Sequence, residues 1–350
     1  MKIIKIIGFV FWWMFFVYSS YSQSDTLNRT DKFGKKYGHW IKYEEGKLSW
    51  KAEFFNGEPV GAFIHYYPNK KVKDSLFYYP NSPKVNAFSY HSNGAKASEG
   101  VFINKIKDGK WLYYNASGKL VAEENYVLGK KQGVWKLFSA ETGLVLQEEN
   151  WDKNQLNGEY TEFYITGDPR VKWYHKNGKI DGPFESYFLD GKIWNKGQYT
   201  EGLRDGTWIC YDPDGNEVKV EEFNRQHVTR TVLGFKSPAY WLKLDASTIA
   251  YFYKKQGGNI YIQLWNGKSI MLDEKNSLVN ISNVAGIELF IFVNDNVLSS
   301  YEAIKKVIDT KENEAEVTLK PAPPFKVFAR DNYYKQLKSL TDPKPPQSND

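Results

Sequence analysis

The sequence has few of the residues from which catalytic and metal sites are usually built. Its 350 residues include one cysteine, Cys210, and five histidines, so no intramolecular disulfide can form. No HExxH, GxSxG, glycine-rich phosphate loop or paired-cysteine motif occurs. These absences argue against enzymes of those motif classes and against a structural zinc centre. Cys210 is interpreted as a small buried hydrophobic residue.

An excess of charge of one sign is also missing. The chain has 47 lysines and arginines against 41 acids, a net charge of +6. The basic residues are interspersed with acids, as in the GKKQG turn at residues 129–133, and are not gathered on one element. A mixed, solvated surface of this kind does not favour nucleic acid as a partner.

Only one long apolar run is present. Residues 6–18 are uncharged and mostly apolar, Lys2 and Lys5 precede them, and Ser20 and Ser22 follow. This pattern predicts a secretory signal peptide over residues 1–22 with cleavage near Ser22. The run is shorter than the roughly 20 residues of a membrane-spanning helix. We therefore expect an exported protein that is periplasmic, secreted or on the cell surface; a retained signal anchor is the alternative. Polar residues 23–37 are predicted to be a flexible leader.

Aromatic residues are abundant, with 12 Trp, 25 Tyr and 22 Phe, and they recur at fixed spacing. In residues 109–126 a short aromatic strand, a turn at Gly118 and a returning strand predict one β-hairpin. The same pattern recurs every 23 to 25 residues over residues 38–224, which is the signature of a repeat array. The eight units begin at Gly38, Gly61, Asn86, Gly109, Gly133, Gly158, Gly182 and Gly206.

Three columns of equivalent residues define the repeat. Large rings at matching positions of successive hairpins can stack, so each unit buries its apolar face against the next. Glycine at the hairpin tip supplies a positive φ, and Asn69 is predicted to take its place in the second unit. The first ring column is Trp40, Phe63, Phe88, Trp111, Trp135, Tyr160, Phe184 and Trp208; a later one is Phe55, Tyr78, Phe102, Tyr126, Trp151, Tyr174, Tyr199 and Phe223; the tip glycines are Gly46, Gly94, Gly118, Gly143, Gly167, Gly191 and Gly215.

The motif GxW, a tyrosine three residues later, then GxL, an acid and another tyrosine resembles the MORN repeat, in the variant of bacterial antitoxin-like proteins. The resemblance covers about half the chain. It implies a mainly β fold, an elongated antiparallel sheet of about eight stacked hairpins. The third and sixth units depart most from the pattern, through Asn86 and through the Gly167, Asp168, Pro169 insertion.

The region after the array is predicted to be a small α+β domain over residues 231–340, with a connector at residues 225–236 and a disordered tail at residues 341–350. Strands are expected at residues 248–253, 260–265, 269–272, 287–293, 315–320 and 325–329. The SxxE sequence from Ser299 to Glu302 resembles a capping box and predicts a helix through Ile308. Asp331 is expected to cap a last helix ending near Leu340.

Candidate chemistry in the array is weak. His39, His65 and His91 occupy different positions of their repeats, so they do not align into a metal site. The acids Glu53, Glu99, Glu123, Glu148 and Glu221 recur along the returning strands, where they either pair with lysines on the adjacent strand or bind cations or a basic partner. Salt-bridge pairing is the favoured interpretation, and no catalytic, cofactor or metal residue is assigned.

The sequence therefore predicts an exported, non-enzymatic repeat protein that binds another protein through an extended β-surface. Two alternatives stay open. Exposed aromatic rings and lysines could bind envelope lipid or glycan, and the family resemblance alone suggests an antitoxin-like partner that neutralises a toxin.

Overall fold

The computed structural model describes residues 27–341, so the predicted signal peptide and the tail after residue 341 lie outside the described residues. The chain divides into two compact units, Met1–Lys105 and Ile106–Asp350. Among the described residues, no helix is long and apolar enough to cross a membrane.

The first unit consists of antiparallel strands, each paired with its predecessor. Alternating strands meet at hairpin tips, so three of the predicted hairpins are present here. The strands are β1 (Arg29–Thr30), β2 (Lys36–Glu44), β3 (Lys47–Phe55), β4 (Glu58–Tyr66), β5 (Val72–Tyr78), β6 (Lys84–Tyr90) and β7 (Lys96–Ile103).

The prediction of a flexible leader at residues 23–37 is wrong for the second half of that segment. Arg29 pairs with Tyr37 in β2, and the Arg29 carbonyl accepts a hydrogen bond from the Trp40 indole at 3.1 Å. Asn28 bonds to both backbone groups of Ile41. These contacts complete the edge of the first hairpin, which explains why a polar segment is ordered.

The second unit continues the same pattern through five further repeats. Two of its strands are interrupted just before the glycine that begins the repeat. The strands are β8 (Ile106–Tyr114), β9 (Leu120–Val127), β10 (Lys130–Lys131), β11 (Gly133–Phe138), β12 (Val145–Asp152), β13 (Gln155–Leu156), β14 (Gly158–Phe163), β15 (Pro169–Lys176), β16 (Lys179–Tyr187), β17 (Ile193–Thr200), β18 (Leu203–Tyr211) and β19 (Glu217–Asn224).

The structure contradicts the predicted end of the array at residue 224. It also contradicts the predicted connector at residues 225–236. β20 (His227–Lys236) pairs with β19, and β21 (Trp241–Asp245) pairs with β20. The ring register stops at Phe223 in the sequence, but backbone pairing continues for two more strands because these hydrogen bonds do not depend on side chains.

The hairpin tips explain the glycine column. All seven predicted glycines have φ between 72° and 95°, a region that a side chain disfavours. In the second repeat, which starts at Gly61, the residue with positive φ is Lys70, at 67°, and not Asn69. Asn69 instead accepts a hydrogen bond from the backbone N–H of Lys71 at 3.0 Å, which is the usual role of asparagine in a turn.

The C-terminal region contains a five-stranded sheet, a three-stranded sheet and two helices. The elements are β22 (Ile249–Lys254), β23 (Ile260–Leu264), β24 (Ser269–Met271), α1 (Leu278–Ala285), β25 (Phe290–Asn294), β26 (Val297–Ser300), β27 (Ile304–Lys311), β28 (Glu314–Leu319), β29 (Val327–Arg330) and α2 (Asp331–Thr341). The order in the five-stranded sheet is β24, β23, β22, β26, β25, and the smaller sheet runs from β27 through β28 to β29.

Both faces of the five-stranded sheet are buried. Phe252 packs on one face with residues of α1 and of β20. Its neighbours Tyr251 and Tyr253 point to the other face and pack against β28, β29 and α2, as the alternation of side chains along a strand requires. Mixed helices and sheets agree with the predicted α+β character.

The helix predicted after Ser299 is wrong. Tyr301–Ala303 forms one 3₁₀ turn, and the next residues form strand β27. Ser300 makes no capping hydrogen bond with its side chain, and pairing with β28 decides the conformation. Helix α1 was not predicted, although Ser277 caps its start and Gly286, with φ of 92°, ends it.

Candidate functional site

The first ring column lies along the hairpin array at varied depth. Trp111 and Trp208 are buried, with 4% and 6% of their surface exposed, whereas the other six are half-buried. Rings of successive repeats are in contact, with centroids 5.3 Å apart for Tyr126 and Trp135 and 5.2 Å apart for Phe184 and Trp208. The rings therefore form stacks that cross from one hairpin to the next, as from Tyr160 through Trp173 and Phe184 to Trp208.

Two members of the later ring column were assigned one residue too far along the chain. Phe54, not Phe55, packs on Trp40 and Phe63, and Phe55 is 60% exposed. Trp173, not Tyr174, stacks on Tyr160 at 4.1 Å. Successive residues of a strand face opposite sides of the sheet, so a shift of one residue exchanges the buried and exposed rings.

In every repeat whose first ring is a tryptophan, a basic residue lies on that ring. The ammonium of Lys131 is 4.2 Å from the Trp135 ring and 4.0 Å from the Trp151 ring. The Arg204 guanidinium lies 4.3 Å from Trp208. Of the other four repeats, those with Phe63, Tyr160 and Phe184 as first ring have Pro59, Leu156 and Ile180 two residues before the unit start, and the one with Phe88 has Lys84. The four tryptophan repeats have Lys36, Lys107, Lys131 and Arg204 two residues before the unit start.

The fourth repeat surrounds its cation with further polar groups. The hydroxyls of Tyr113 and Tyr126 donate to the Glu124 carboxylate at 2.6 and 2.8 Å, and the Lys107 ammonium lies 3.6 Å from the same carboxylate. Burial, and then the hydrogen bond to Glu124, raise the pKa of Tyr113 above its ordinary value. The tyrosines remain neutral donors, so this cluster is internally satisfied.

Four of the five acids singled out in the sequence pair with lysines. Lys110 bonds Glu123 at 2.6 Å and Lys136 bonds Glu148 at 2.5 Å, each from the adjacent strand. Glu99 and Glu221 pair with lysines on their own strands, Lys96 and Lys219, where the prediction placed the lysines on an adjacent strand. The acids are distributed as separate ion pairs and do not converge on one point, which supports the structural interpretation.

The histidines also remain apart. His65 pairs with Asp74 at 2.5 Å, and burial lowers the pKa of His175 below its ordinary value. Within the part of the chain that the structure describes, no three His, Cys, Asp or Glu side chains gather where they could hold a metal ion.

The most site-like feature is a cleft of about 790 Å³ between the last hairpins and helix α1. We refer to it as the α1 cleft. Its volume falls in the range of ligand-binding pockets. One wall comes from β17 to β21 and carries aromatic rings, including Phe188, Trp194 and Trp241.

Local packing holds two indole rings of the cleft, Trp241 and Trp208, in place. The Trp241 indole donates to the carbonyl of Glu217 at 3.2 Å and lies against Gly234, where a β-carbon would collide with both groups. Trp208 lies in the same way on Gly197 and donates to the Gln198 carbonyl at 3.1 Å. Glycine on the neighbouring strand therefore allows each indole to lie flat on the sheet.

Helix α1 forms the opposite wall of the α1 cleft. Its buried residues Leu278 and Ile281 face the hydrophobic core. Asn280 and Asn283, spaced three residues apart, line the cleft and are exposed. Residues with this spacing share one side of a helix, so the cleft has an amide wall facing an aromatic wall.

Cys210 lines the cleft as well and is partly buried. Its thiol donates to Asn195 Oδ1 at 2.5 Å. Burial raises the pKa of the thiol, which disfavours the nucleophilic thiolate. The predicted role as a small packing residue agrees with this environment.

The hairpin geometry corresponds to a known repeat. The family described as MORN repeat variant matches residues 107–127 and 180–201. The chain carries MORN repeats. The first matched segment covers hairpin β8–β9 and begins at the ring-binding residue Lys107, and the second covers hairpin β16–β17. The predicted MORN repeat variant is confirmed at these two places.

Other comparisons add little. No curated protein matches the chain. The LytTr DNA-binding domain of a DNA response regulator from Bacillus cereus is 16% identical and aligns with 31% of this chain and 94% of its own, with a TM-score of 0.26. The TcdB2-TccC3-TEV structure is 10% identical and aligns with 87% of this chain and 18% of its own, with a TM-score of 0.19. Neither likeness is close enough to bear on fold or function.

Sequence reasoning missed the α1 cleft and the basic column. The basic column has a visible signal, because a lysine or arginine stands four residues before each tryptophan that begins a repeat. The cleft has none, since its walls come from residues about 90 positions apart in the chain.

Proposed function

We propose that this chain is an exported, non-enzymatic repeat protein that binds another protein along the tips of its hairpins. The observation that carries the proposal is a row of exposed aliphatic side chains at successive tips of the second unit. Leu144, Ile165 and Leu189 are 41%, 54% and 61% exposed. We call these three residues the tip row.

The members of the tip row belong to adjacent hairpins. A β-carbon on Gly167 would lie 3.4 Å from Leu144, and the Tyr164 hydroxyl donates to the Tyr187 carbonyl of the next hairpin at 2.6 Å. Exposed apolar side chains that lie together favour contact with another macromolecule.

The proposal that the protein is exported rests on the signal-peptide pattern of residues 1–22. The non-enzymatic role rests on the internal pairing of the titratable clusters described above. The antitoxin-like alternative would then require a toxin that is itself exported. Cell fractionation with N-terminal sequencing of the mature protein tests export, and a cytoplasmic protein that retains residues 1–22 would contradict it.

The binding surface is tested by cross-linking in the source cells followed by mass spectrometry. Ile165→Asp should abolish cross-links between the tip row and its partner, because a desolvated carboxylate is costly in an interface. Leu128→Asp is the matched control, since Leu128 is 72% exposed in a turn at the opposite end of the strands. Equal cross-linking by both variants, or cross-links only to lipid-linked material, would contradict protein binding through this row.

A further inference from the structure

We propose that the α1 cleft is a binding site for an uncharged oligosaccharide. This site is distinct from the tip row, so it can fail or succeed independently of the proposed protein binding. Three features of the cleft point to this ligand class: the state of its charges, the chemistry of its two walls and the pairing of its strands.

Three of the charged side chains inside the cleft already have internal partners. Lys219 pairs with Glu221 at 2.8 Å, and the two side chains are only 13% and 14% exposed. Lys219 also lies 3.8 Å from Glu288, and Arg204 lies on the Trp208 ring. A charged ligand would have to displace one of these internal partners and leave a buried charge unpaired, which is costly. An uncharged polar ligand avoids this cost.

The rim adds no charge of one sign. Lys236 and Lys275 lie along the same cleft as Asp212 and Asp214, so two basic residues face two acidic ones; Asp212 is half-buried and the other three are exposed. Their opposite charges weaken any field that would attract an anion or a cation. Electrostatics therefore favours neither.

The two walls complement the two kinds of surface on a sugar. Trp194 is 50% exposed, and its ring centroid is 6.1 Å from that of Phe188, which gives a broad apolar surface on one side. The C–H face of a pyranose ring packs on such rings. Asn280 and Asn283 of helix α1 line the same cleft, and an amide offers both donors and an acceptor. Sugar hydroxyls, which also donate and accept, match amides in this respect.

An extended peptide fits the same cleft less well. Most of its sheet wall comes from β18, β19 and β20, which are each paired on both sides. Of β21, which pairs with β20, Trp241 alone lines the cleft. No edge of these three strands is open to receive a peptide by strand addition, the mode in which backbone hydrogen bonds give a peptide its affinity. The mode of binding that remains is recognition of a compact, hydroxyl-rich ligand by the side chains that line the cleft.

The test is calorimetric titration of the full mature chain with a panel of uncharged oligosaccharides: cellohexaose, maltoheptaose and the tetramer of N-acetylglucosamine. Binding to at least one is expected, with a change in tryptophan fluorescence from Trp194. Trp194→Ala should weaken that binding roughly tenfold or more, because ring stacking is lost. Asn283→Ala should weaken it several-fold through lost hydrogen bonds.

A second readout uses the single cysteine of the chain. Cys210 lines the cleft, so a bound sugar should slow its alkylation by a small maleimide. Ile165→Ala, in the tip row, is the control and should leave affinity and protection unchanged. Unchanged thermal midpoints show that the variants are folded.

Several outcomes would overturn the proposal. One is the absence of binding to every sugar in the panel up to about 5 mM, the weakest range in which a specific site is meaningful. Another is binding that survives both cleft variants. A third is selection of peptides or duplex DNA by the same cleft residues. Loss of protein cross-links in Ile165→Asp with sugar binding intact would separate this site from the tip row.

Discussion

Aromatic rings stabilise the hairpin array and the C-terminal region in different ways. In the array, rings such as Trp135 and Trp151 contact neighbours on adjacent strands but stay half-buried, with a cation on their outer side. In the C-terminal region Tyr251 and Phe252 are fully buried between layers. The array therefore has a core one side chain thick that is shared between neighbouring hairpins, and the C-terminal region has enclosed cores on both faces of a sheet.

The difference teaches how each region should respond to damage. A repeat contacts only its neighbours, so loss of one ring should loosen the adjacent hairpins. A closed core shares its packing among many side chains, so loss of one ring should be felt throughout the region.

The largest expected effect is in the closed core. Phe252→Ala removes a ring that contacts Phe235 and Phe290 at 5.5 and 5.2 Å. We expect a loss of about 3 to 5 kcal/mol in the free energy of unfolding, as for other buried phenylalanines. Denaturant titration measures the loss, and hydrogen exchange should show faster exchange across the whole five-stranded sheet. Faster exchange confined to β22 would remove the contrast with the array.

A smaller and more local effect is expected in the array. Trp111→Ala should cost about 3 to 4 kcal/mol, because Trp111 is 4% exposed and its cavity would be partly open to solvent. Hydrogen exchange should quicken in β8 and β9 and their neighbouring strands only. Tyr43→Ala is the control, since Tyr43 is 63% exposed and should change stability by less than about 1 kcal/mol. Equal losses of unfolding free energy in the two variants would mean that the exposed fraction of a ring does not predict its contribution to stability.

The smallest effect tests the cation that covers the half-buried rings. Lys131→Met keeps an apolar stem but removes the ammonium near Trp135 and Trp151. We expect a loss of about 0.5 to 2 kcal/mol that salt reduces only weakly. Lys130→Met is the matched control on an exposed neighbour. If Lys131→Met leaves the free energy of unfolding unchanged, packing of the side-chain stem, and not its charge, covers these rings.

The periodic part of the fold could be predicted because one unit specifies its own conformation. The spacing of Trp111, Gly118 and Tyr126 marks a ring, a turn and a returning ring, and each has a local cause. The same reasoning failed by one residue at Phe55 and Tyr174, where two aromatic residues are adjacent in the sequence. Composition cannot tell which of two neighbouring rings faces the stack, because the register of pairing decides it.

The C-terminal region was predicted less well for a related reason. Residues 303–308 have apolar spacing that suits a helix, yet pairing with β28 makes residues 304–308 part of a strand. Conversely, the caps Ser277 and Gly286 marked α1, but only eight residues separate them, fewer than a periodic pattern needs to be distinctive.

The sequence by itself determined the repeat, its turns and the pairing of its acids with lysines, because all of these act between residues of one hairpin or the next. The tertiary structure alone decided where the array meets helix α1, and with it the α1 cleft. The aromatic wall at Trp194 and the amide wall at Asn283 are brought together by long-range packing of β20 and α1 into one core. Local propensity carries no information about such a contact, since its free energy comes from burial between distant segments.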